Sequence, residues 1–263
     1  MQSGFENQND IWLLIIEQMQ NDVEPLNKRF GKALSLAENS DTARLSSIEL
    51  HYHGALRPHV FVIVGPSGVG KSVLIDRLIP YFLKDFKSIV VLATDPTSSL
   101  SGGALLGDRV RISNNEEEQR VFYRSVASRG SSKAFSESIP AMIDVISLFQ
   151  IDVVIVETMG VAQQDSSSRT IADTLINILG PSNGDEIQLY KSGIFEFGDI
   201  FFINKSDIDG CDSIYTLLKM KLSGNPRALL TDFPEVLMGS AVQKVGIKEL
   251  YNSMYLHMQR RRA

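Results

Sequence analysis

Short apolar runs rich in β-branched residues alternate along the chain with segments whose apolar residues recur at helical spacing. The runs that we predict to be buried strands lie at residues 61–64, 89–94, 152–156, 199–203 and 236–238. A strand that is apolar along its whole length has both faces covered, which is typical of parallel sheets packed between helices. The pattern therefore predicts an α/β fold with a mainly parallel, helix-flanked sheet.

Amphipathic helices are predicted before and between these strands. An i, i+4, i+7, i+8, i+11 spacing gives one core-facing stripe, formed by Leu26, Phe30, Ala33, Leu34 and Ala37. Similar spacing predicts helices over 73–83 and from residue 139 to about 149. Two further short helices are expected from residue 10 and over 41–53. We therefore predict an N-terminal helical segment over residues 1–57 and a domain that carries the sheet over residues 58–263.

A glycine-rich loop follows the first predicted strand and leads directly into a predicted helix. It reads G-x-x-x-x-G-K-S, and strand, loop and helix in this order are the context that a phosphate-binding loop requires. Its backbone N–H groups would point at phosphate oxygens, Lys71 would reach the β- and γ-phosphates, and the Ser72 hydroxyl would bind Mg²⁺. The residues predicted to contact the nucleotide here are Gly65, Ser67, Gly68, Val69, Gly70, Lys71, Ser72 and Val73.

Acidic residues end two of the other strands. Glu157 closes the third predicted strand, and Gly160 follows three residues later. A carboxylate here can hold Mg²⁺ through water while the Gly160 N–H meets the γ-phosphate, which is the arrangement of a nucleotide-dependent switch. Asp95 closes the second predicted strand, where active sites of open α/β sheets lie, although a turn or helix cap before Pro96 is an alternative role.

The fourth predicted strand opens into Asn204, Lys205, Ser206 and Asp207, the N-K-x-D pattern of proteins that recognise guanine. The Asp207 carboxylate can accept both N1–H and N2–H of guanine, and adenine would leave it unpaired. We expect Lys205 to lie over the base and Asn204 to tie this loop to the phosphate-binding loop. After the last strand, Ser240 and Ala241 are expected to offer a backbone N–H to guanine O6. The sequence therefore favours GTP over ATP.

Composition narrows the classes of function. The chain has 263 residues, 43% of them hydrophobic and 22% charged, as in an ordinary globular protein. A formal net charge of −5 argues against a dedicated nucleic-acid binder, so no nucleic-acid partner is expected. No apolar run reaches 18 residues and no signal pattern opens the chain, so we expect a cytoplasmic protein without a membrane partner. Cys211, the one cysteine, excludes an internal disulfide and is expected to be an inert thiol.

Four stretches resemble one protein family closely. Residues 33–39 read A-L-S-L-A-E-N, residues 95–108 read D-P-T-S-S-L-S-G-G-A-L-L-G-D, and residues 154–163 read V-I-V-E-T-M-G-V-A-Q. Residues 184–194 carry G-D-E-I-Q-x-x-K-x-G-I. Together they are similar to the MeaB/MMAA/ArgK family of GTPases, the G proteins associated with methylmalonyl-CoA mutase. The resemblance runs from about residue 30 to residue 253.

The resemblance implies a P-loop NTPase of the SIMIBI type and adds several site residues. Asp95 and Asp108 would lie in the first switch region and assist Mg²⁺ and the attacking water, and Glu157 would open the second switch. The implied catalytic set is thus Lys71, Asp95, Asp108 and Glu157, and the implied metal ligands are Ser72, Asp95, Asp108 and Glu157. A further switch loop would couple to the mutase through Asp185, Glu186, Gln188 and Lys191.

The resemblance also implies a role. Members of the family act as chaperones of adenosylcobalamin-dependent methylmalonyl-CoA mutase: they gate cofactor loading, protect the mutase from inactivation and hydrolyse GTP to GDP. Hydrolysis is expected to be slow without the partner, because no arginine finger is evident. This chain departs from the family pattern at Ser67, Ala162 and Asp165. It ends about where the C-terminal dimerisation arm of the family would begin, so we expect either a homodimer through another surface or a monomer.

Three alternatives stay open. A metallochaperone GTPase for another metalloenzyme needs a metal store, but His51, His53, His59 and His257 are scattered and Cys211 is solitary. A transport-linked ATPase or kinase is disfavoured by the N-K-S-D loop. A GTP-binding scaffold without catalysis fits the same motifs.

Overall fold

The structure, a computed structural model, describes residues 26–39, 57–95, 120–127, 136–159, 167–181, 198–224 and 233–262. Within these ranges seven strands form one sheet: β1 (His59–Val64), β2 (Ile89–Asp95), β3 (Val121–Ala127), β4 (Val153–Glu157), β5 (Thr174–Leu179), β6 (Ile200–Ile203) and β7 (Glu235–Met238). Their order is β3-β2-β4-β1-β5-β6-β7, and every neighbouring pair is parallel. The parallel, helix-flanked sheet that the sequence predicts is confirmed.

The described helices are α1 (Leu26–Asn39), α2 (Lys71–Asp85), α3 (Ile139–Leu148), α4 (Ser167–Ile171), α5 (Cys211–Leu222) and α6 (Ile247–Arg262). Alternate residues of β1 enter opposite layers of the core. Val60 and Val62 pack with α1 and α3 on one face, whereas Phe61 and Ile63 pack with α2 and α6 on the other. Helix α5 covers β6 and β7 at the far side of the sheet. The central strand is buried throughout because helices cover both faces.

Helix α1 carries the predicted stripe, since Phe30, Ala33, Leu34 and Ala37 are all buried. These residues belong to the same apolar cluster as β1 and α3, so α1 is a layer of the main core. The predicted helices from residue 10 and over 41–53 lie outside the described residues. A boundary between residues 57 and 58 stays a prediction.

The sequence analysis did not predict strands β3 and β5, because a polar residue interrupts the apolar run of each. In β3 the interruption is Arg124, whose side chain is buried and forms a 2.7 Å ion pair with Glu38 of α1. In β5 it is Asn177, which is 3% exposed. An apolar-run criterion misses such strands, because a polar side chain can be accommodated where a specific partner or a tight packing site exists.

No helix in the described part of the chain is both long and apolar enough to cross a membrane.

Candidate functional site

The candidate site lies at the carboxyl ends of the parallel strands. Strand β1 is central, and the chain continues from it to β2 on one side while β5, β6 and β7 follow on the other. Crevices at such a reversal of strand order are where open α/β sheets bind ligands. The loops after β1, β4, β6 and β7 carry most of the residues that the sequence predicts to bind the nucleotide.

The loop after β1 has a backbone path that requires glycine at two positions. A Cβ atom on Gly65 would lie 2.4 Å from the Ile178 carbonyl oxygen, so β5 leaves no room for a side chain there. Gly70 has a φ of +96°, and a Cβ atom there would lie 2.6 Å from Nδ2 of Asn204. The first helical residue after this turn is Lys71. The loop therefore approaches its neighbours closely and presents its N–H groups at a helix N-terminus.

Lys71 folds back over this loop. Its Nζ donates to the carbonyl oxygens of Gly65 at 2.9 Å and of Pro66 at 3.1 Å. Burial lowers the pKa of Lys71, and the Glu157 carboxylate opposes that shift. An ammonium group held this way by neutral carbonyls lacks a full counter-charge, which makes the position favourable for phosphate oxygens.

Ser72 and Glu157 meet although 85 residues separate them. The Ser72 Oγ donates to Oε1 of Glu157 over 2.6 Å, across the gap between α2 and the end of β4. Next to Glu157, the Thr158 N–H donates to the Ile63 carbonyl oxygen at 3.1 Å and anchors β4 against β1. A hydroxyl and a carboxylate oxygen this close are the hard donors that Mg²⁺ prefers, so the pair fits a magnesium ion.

In the described ranges no group of three His, Cys, Asp or Glu side chains could hold a metal by itself.

One further predicted site residue, Asp95, lies at the end of a strand next to β4. The backbone of Asp95 ends β2, two residues beyond Ala93, which pairs in register with Glu157. The residues that lie outside the described ranges are Asp108, Gly160, Asp185, Glu186, Gln188 and Lys191. Their roles stay predictions.

Asn204 joins three loops at the base-recognition end of the site. Its Nδ2 donates to the Val69 carbonyl oxygen at 2.8 Å, and its Oδ1 accepts from the Ala241 N–H at 2.9 Å. The side chain is 2% exposed, so both contacts are shielded from water. The predicted tie between this loop and the phosphate-binding loop is thus present as a hydrogen bond.

The remaining residues of the N-K-S-D loop lie on the surface side of Asn204. Lys205 adopts a left-handed φ of +65°, and the Ser206 N–H donates to the Gly239 carbonyl oxygen at 3.0 Å. Asp207 is exposed, so its carboxylate is accessible to a base. Beneath the loop the Cys211 thiol is buried, and burial raises its pKa, as expected for an unreactive thiol.

The turn after β7, residues 239–246, is closed by its own backbone. Ser240 and Val245 exchange two N–H···O hydrogen bonds of 3.0 Å each. The Ala241 N–H donates to Asn204, so the amides of both Ser240 and Ala241 are already donated inside the protein. Their predicted contact with guanine O6 stays a proposal. For that contact, the Ala241 N–H would have to donate to Asn204 and to O6 at the same time, or another N–H group of the turn would have to donate to O6.

The sequence analysis missed two residues that shape the site. Thr158 donates through its N–H and its hydroxyl to the same carbonyl oxygen, that of Ile63. Arg77 of α2 donates from Nε to the Ala241 carbonyl oxygen at 3.2 Å. Thr158 lies inside the predicted switch pattern, but that pattern does not indicate its contact with Ile63. Arg77 carries no local signal, because its acceptor lies 164 residues away.

The chain is similar to a family of GTPases over most of its length. The family model described as methylmalonyl-CoA mutase-associated GTPase MeaB matches residues 30–263. A Pyrococcus abyssi protein provisionally named a GTPase is 36% identical over 231 residues, which are 87% of this chain and 71% of that protein. A fused isobutyryl-CoA mutase of Geobacillus kaustophilus is 35% identical over 179 residues, which are 66% of this chain and 16% of that protein.

Among solved structures, the fold is similar to that of a protein described as LAO/AO transport system kinase. The TM-score is 0.65 with 22% sequence identity, and the match covers 97% of this chain and 77% of the other. At this identity the likeness shows the fold alone.

Proposed function

This chain belongs to the MeaB family of GTPases, and on that premise we propose that its GTP cycle serves an adenosylcobalamin-dependent acyl-CoA mutase, with methylmalonyl-CoA mutase as the client. In this role the protein is a chaperone that gates cofactor loading and protects the mutase from inactivation.

The proposal that this protein binds and hydrolyses GTP is supported most directly by one observation. Lys71, Ser72 and Glu157 lie together at the amino end of α2. We assign Lys71 to the β- and γ-phosphates, because its ammonium group already lies over the loop and is held by two neutral carbonyl groups. Ser72 and Glu157 would hold Mg²⁺, directly and through water respectively. Bound Mg²⁺ supplies charge neutralisation at the transferring phosphoryl group.

Glu157 also suits the start of a switch. It stands at the end of β4, and its side chain accepts a hydrogen bond from the Ser72 hydroxyl of α2. A Ser72 that turns its oxygen toward a cation would release this contact, so the segment after Glu157 would respond to the nucleotide state. Asp95 and Asp108 are proposed to assist from the first switch region.

Guanine specificity is assigned to the loops joined by Asn204. Asp207, exposed beside this junction, would accept from N1–H and N2–H of the base, and Lys205 would cover the ring. The buried Asn204 fixes both loops before the ligand arrives, so little ordering cost is left for binding.

The client is inferred from the relatives. The matched segment of the fused isobutyryl-CoA mutase is a small part of that polypeptide, so a chain similar to this one is covalently part of a mutase there. A protein in close contact with a mutase active site could sense its cofactor. Residues Asp185, Glu186, Gln188 and Lys191 are proposed to carry this coupling.

The test is GTP turnover by the purified protein, alone and with methylmalonyl-CoA mutase, with and without adenosylcobalamin. ATP serves as the nucleotide control and Lys71→Ala as the inactive variant. We expect slow GTP turnover that the mutase accelerates and no turnover of ATP. Stimulation by isobutyryl-CoA mutase instead would keep the role and change the client, whereas GTP turnover that neither mutase changes would contradict the chaperone proposal.

A further inference from the structure

The turn that we assign to the base is held from two sides. On one side Asn204 accepts the Ala241 N–H, and on the other Arg77 donates to the Ala241 carbonyl oxygen. These groups belong to two successive peptide units, so each unit around Ala241 has its own side-chain partner. Asn204 comes from the base-recognition loop and Arg77 from α2, the helix that follows the phosphate-binding loop.

The turn has little freedom apart from these two contacts. Its ends are joined by the reciprocal Ser240 and Val245 hydrogen bonds, and the Gln243 N–H donates to Ser240 Oγ at 3.2 Å. A Cβ atom at Gly239 would lie 2.2 Å from the Val245 carbonyl oxygen, which shows how closely the two arms approach. A turn that is internally rigid moves as one body. Its angle to the base is then set by the outside contacts, and Arg77 is one of them.

The contact of Arg77 has a direct consequence for the donor at the tip of the turn. In a trans peptide unit the C=O and the following N–H point in opposite directions. The carbonyl of Ala241 points to Arg77, so the N–H of Val242 points away from α2. This N–H has no acceptor among the described residues, and Val242 is 73% exposed. Arg77 therefore fixes the direction of an unpaired donor.

We propose that Arg77 is a positioning residue for guanine recognition: by holding the Ala241 carbonyl it sets the angle at which the 239–246 turn offers backbone N–H groups to O6 of the base. This inference rests on the proposed GTP site and adds a residue to it. It also links α2 physically to the base end, so the phosphate and base subsites share one rigid support.

The experiment compares GDP with 6-thio-GDP, which keeps the N1 and N2 donors and replaces O6 by sulfur, a weak acceptor. Affinities are measured by titration calorimetry for the wild type, Arg77→Ala and Arg77→Met. The methionine variant keeps most of the aliphatic stem and loses the donor. Lys84→Ala is the matched control, because Lys84 lies on the same helix, has the same charge and contacts the Tyr81 ring at the far end.

We expect the wild type and Lys84→Ala to prefer GDP over 6-thio-GDP. Both Arg77 variants should bind GDP roughly 3- to 10-fold more weakly, which corresponds to the loss of one hydrogen bond. Their affinity for 6-thio-GDP should change little. Unchanged thermal unfolding midpoints would show that the variants are folded.

The outcomes separate this inference from the proposed function. A wild type that binds no GDP would contradict the nucleotide site itself. A wild type that binds GDP but does not distinguish it from 6-thio-GDP would overturn the inference, because the turn would then not contact O6. Equal losses for both nucleotides in the Arg77 variants, or no loss, would also overturn it and leave the GTPase assignment standing.

Discussion

The two ends of the central sheet are both polar, but their polar groups are used differently. At the carboxyl end, Lys71 and Asn204 bind backbone carbonyl and N–H groups of loops, while Ser72 and Asp207 stay exposed. At the amino end, polar side chains bind mainly one another beneath α6 and are almost completely buried. The first arrangement leaves capacity for a ligand, and the second is complete without one.

The amino-end network runs through Thr174, the first residue of β5. Its Oγ1 lies 2.8 Å from His59 Nε2 and 2.8 Å from His257 Nδ1. A hydroxyl has one proton, so one imidazole nitrogen accepts it and the other donates. Beyond His257, Nε2 lies 3.6 Å from Oδ1 of Asp199, which is 0% exposed. The other oxygen of Asp199 forms an ion pair with Arg169 and accepts from the Leu175 N–H.

The difference indicates that a buried polar cluster is not by itself a functional site. In the described residues His59 and His257 lie together, yet with Thr174 and Asp199 they form no group that could bind a metal. They join α6 to the start of β1 and β5. Mutations at the two ends should therefore separate ligand binding from stability.

The largest effect is expected for Lys71→Ala at the carboxyl end. Loss of the ammonium group removes charge-assisted hydrogen bonds to two phosphates, so the Kd for GTP should rise at least about 100-fold. The free energy of unfolding should change little, because the loss of two internal hydrogen bonds is offset by removal of a buried charge. Titration calorimetry and urea unfolding measure the two quantities. Retained micromolar affinity would contradict the phosphate-binding role.

At the amino end, Asp199→Asn should lower the stability of the fold and leave nucleotide binding unchanged. It leaves Arg169 without its buried partner and should lower the free energy of unfolding by about 3 kcal/mol. The Kd for GDP should be unchanged. Asp173→Asn is the control, since the ion pair of Asp173 with Arg57 is more exposed and should contribute about 1 kcal/mol or less. Weaker GDP binding by Asp199→Asn with unchanged stability would contradict the assignment of the amino-end cluster to stability.

Asp207→Asn tests the base end. An amide can donate to the second carbonyl of xanthine, so the preference should shift from GDP toward xanthosine diphosphate by roughly 100-fold. Asp209→Asn, exposed in the same loop, is the matched control and should keep the guanine preference. An unchanged preference in Asp207→Asn would remove Asp207 from base recognition.

The smallest effect is a pH dependence that belongs to the amino end. Burial lowers the pKa of His59 from 6.5 to about 4, and the nearby Asp173 carboxylate opposes the shift. Between these values the unfolded chain binds a proton that the folded chain does not, so stability falls as the pH falls through this window. From pH 8 to pH 5 His59 should account for about 2 kcal/mol of the loss.

Urea unfolding of the wild type and His59→Gln across this range measures the effect. The variant should show a shallower decline, whatever its stability at pH 8. Identical slopes for the two proteins would show that His59 is not the group that titrates.

The sequence predicted the parts of the site that follow from local backbone chemistry. The phosphate-binding loop could be recognised from the spacing of its glycines, lysine and serine, although the close approaches that require Gly65 and Gly70 involve the distant residues Ile178 and Asn204. Helix α1 was also predicted from a short-range pattern, the helical spacing of its apolar residues. Strands β3 and β5 were missed, because each contains a buried polar residue, Arg124 or Asn177. Arg124 is accommodated by its ion pair with Glu38, which is distant in sequence, whereas Asn177 Nδ2 has no hydrogen-bond partner among the described residues.

By itself, the sequence determined that a phosphate-binding loop, an acidic strand end and an N-K-x-D loop occur in this order on a parallel sheet. These features depend on residue type and short-range spacing. The tertiary structure decided which side chains meet: Ser72 with Glu157, Arg77 with Ala241, and His59 with His257 through Thr174. Those contacts follow from the strand order β3-β2-β4-β1-β5-β6-β7, which places distant segments side by side and which no local pattern encodes.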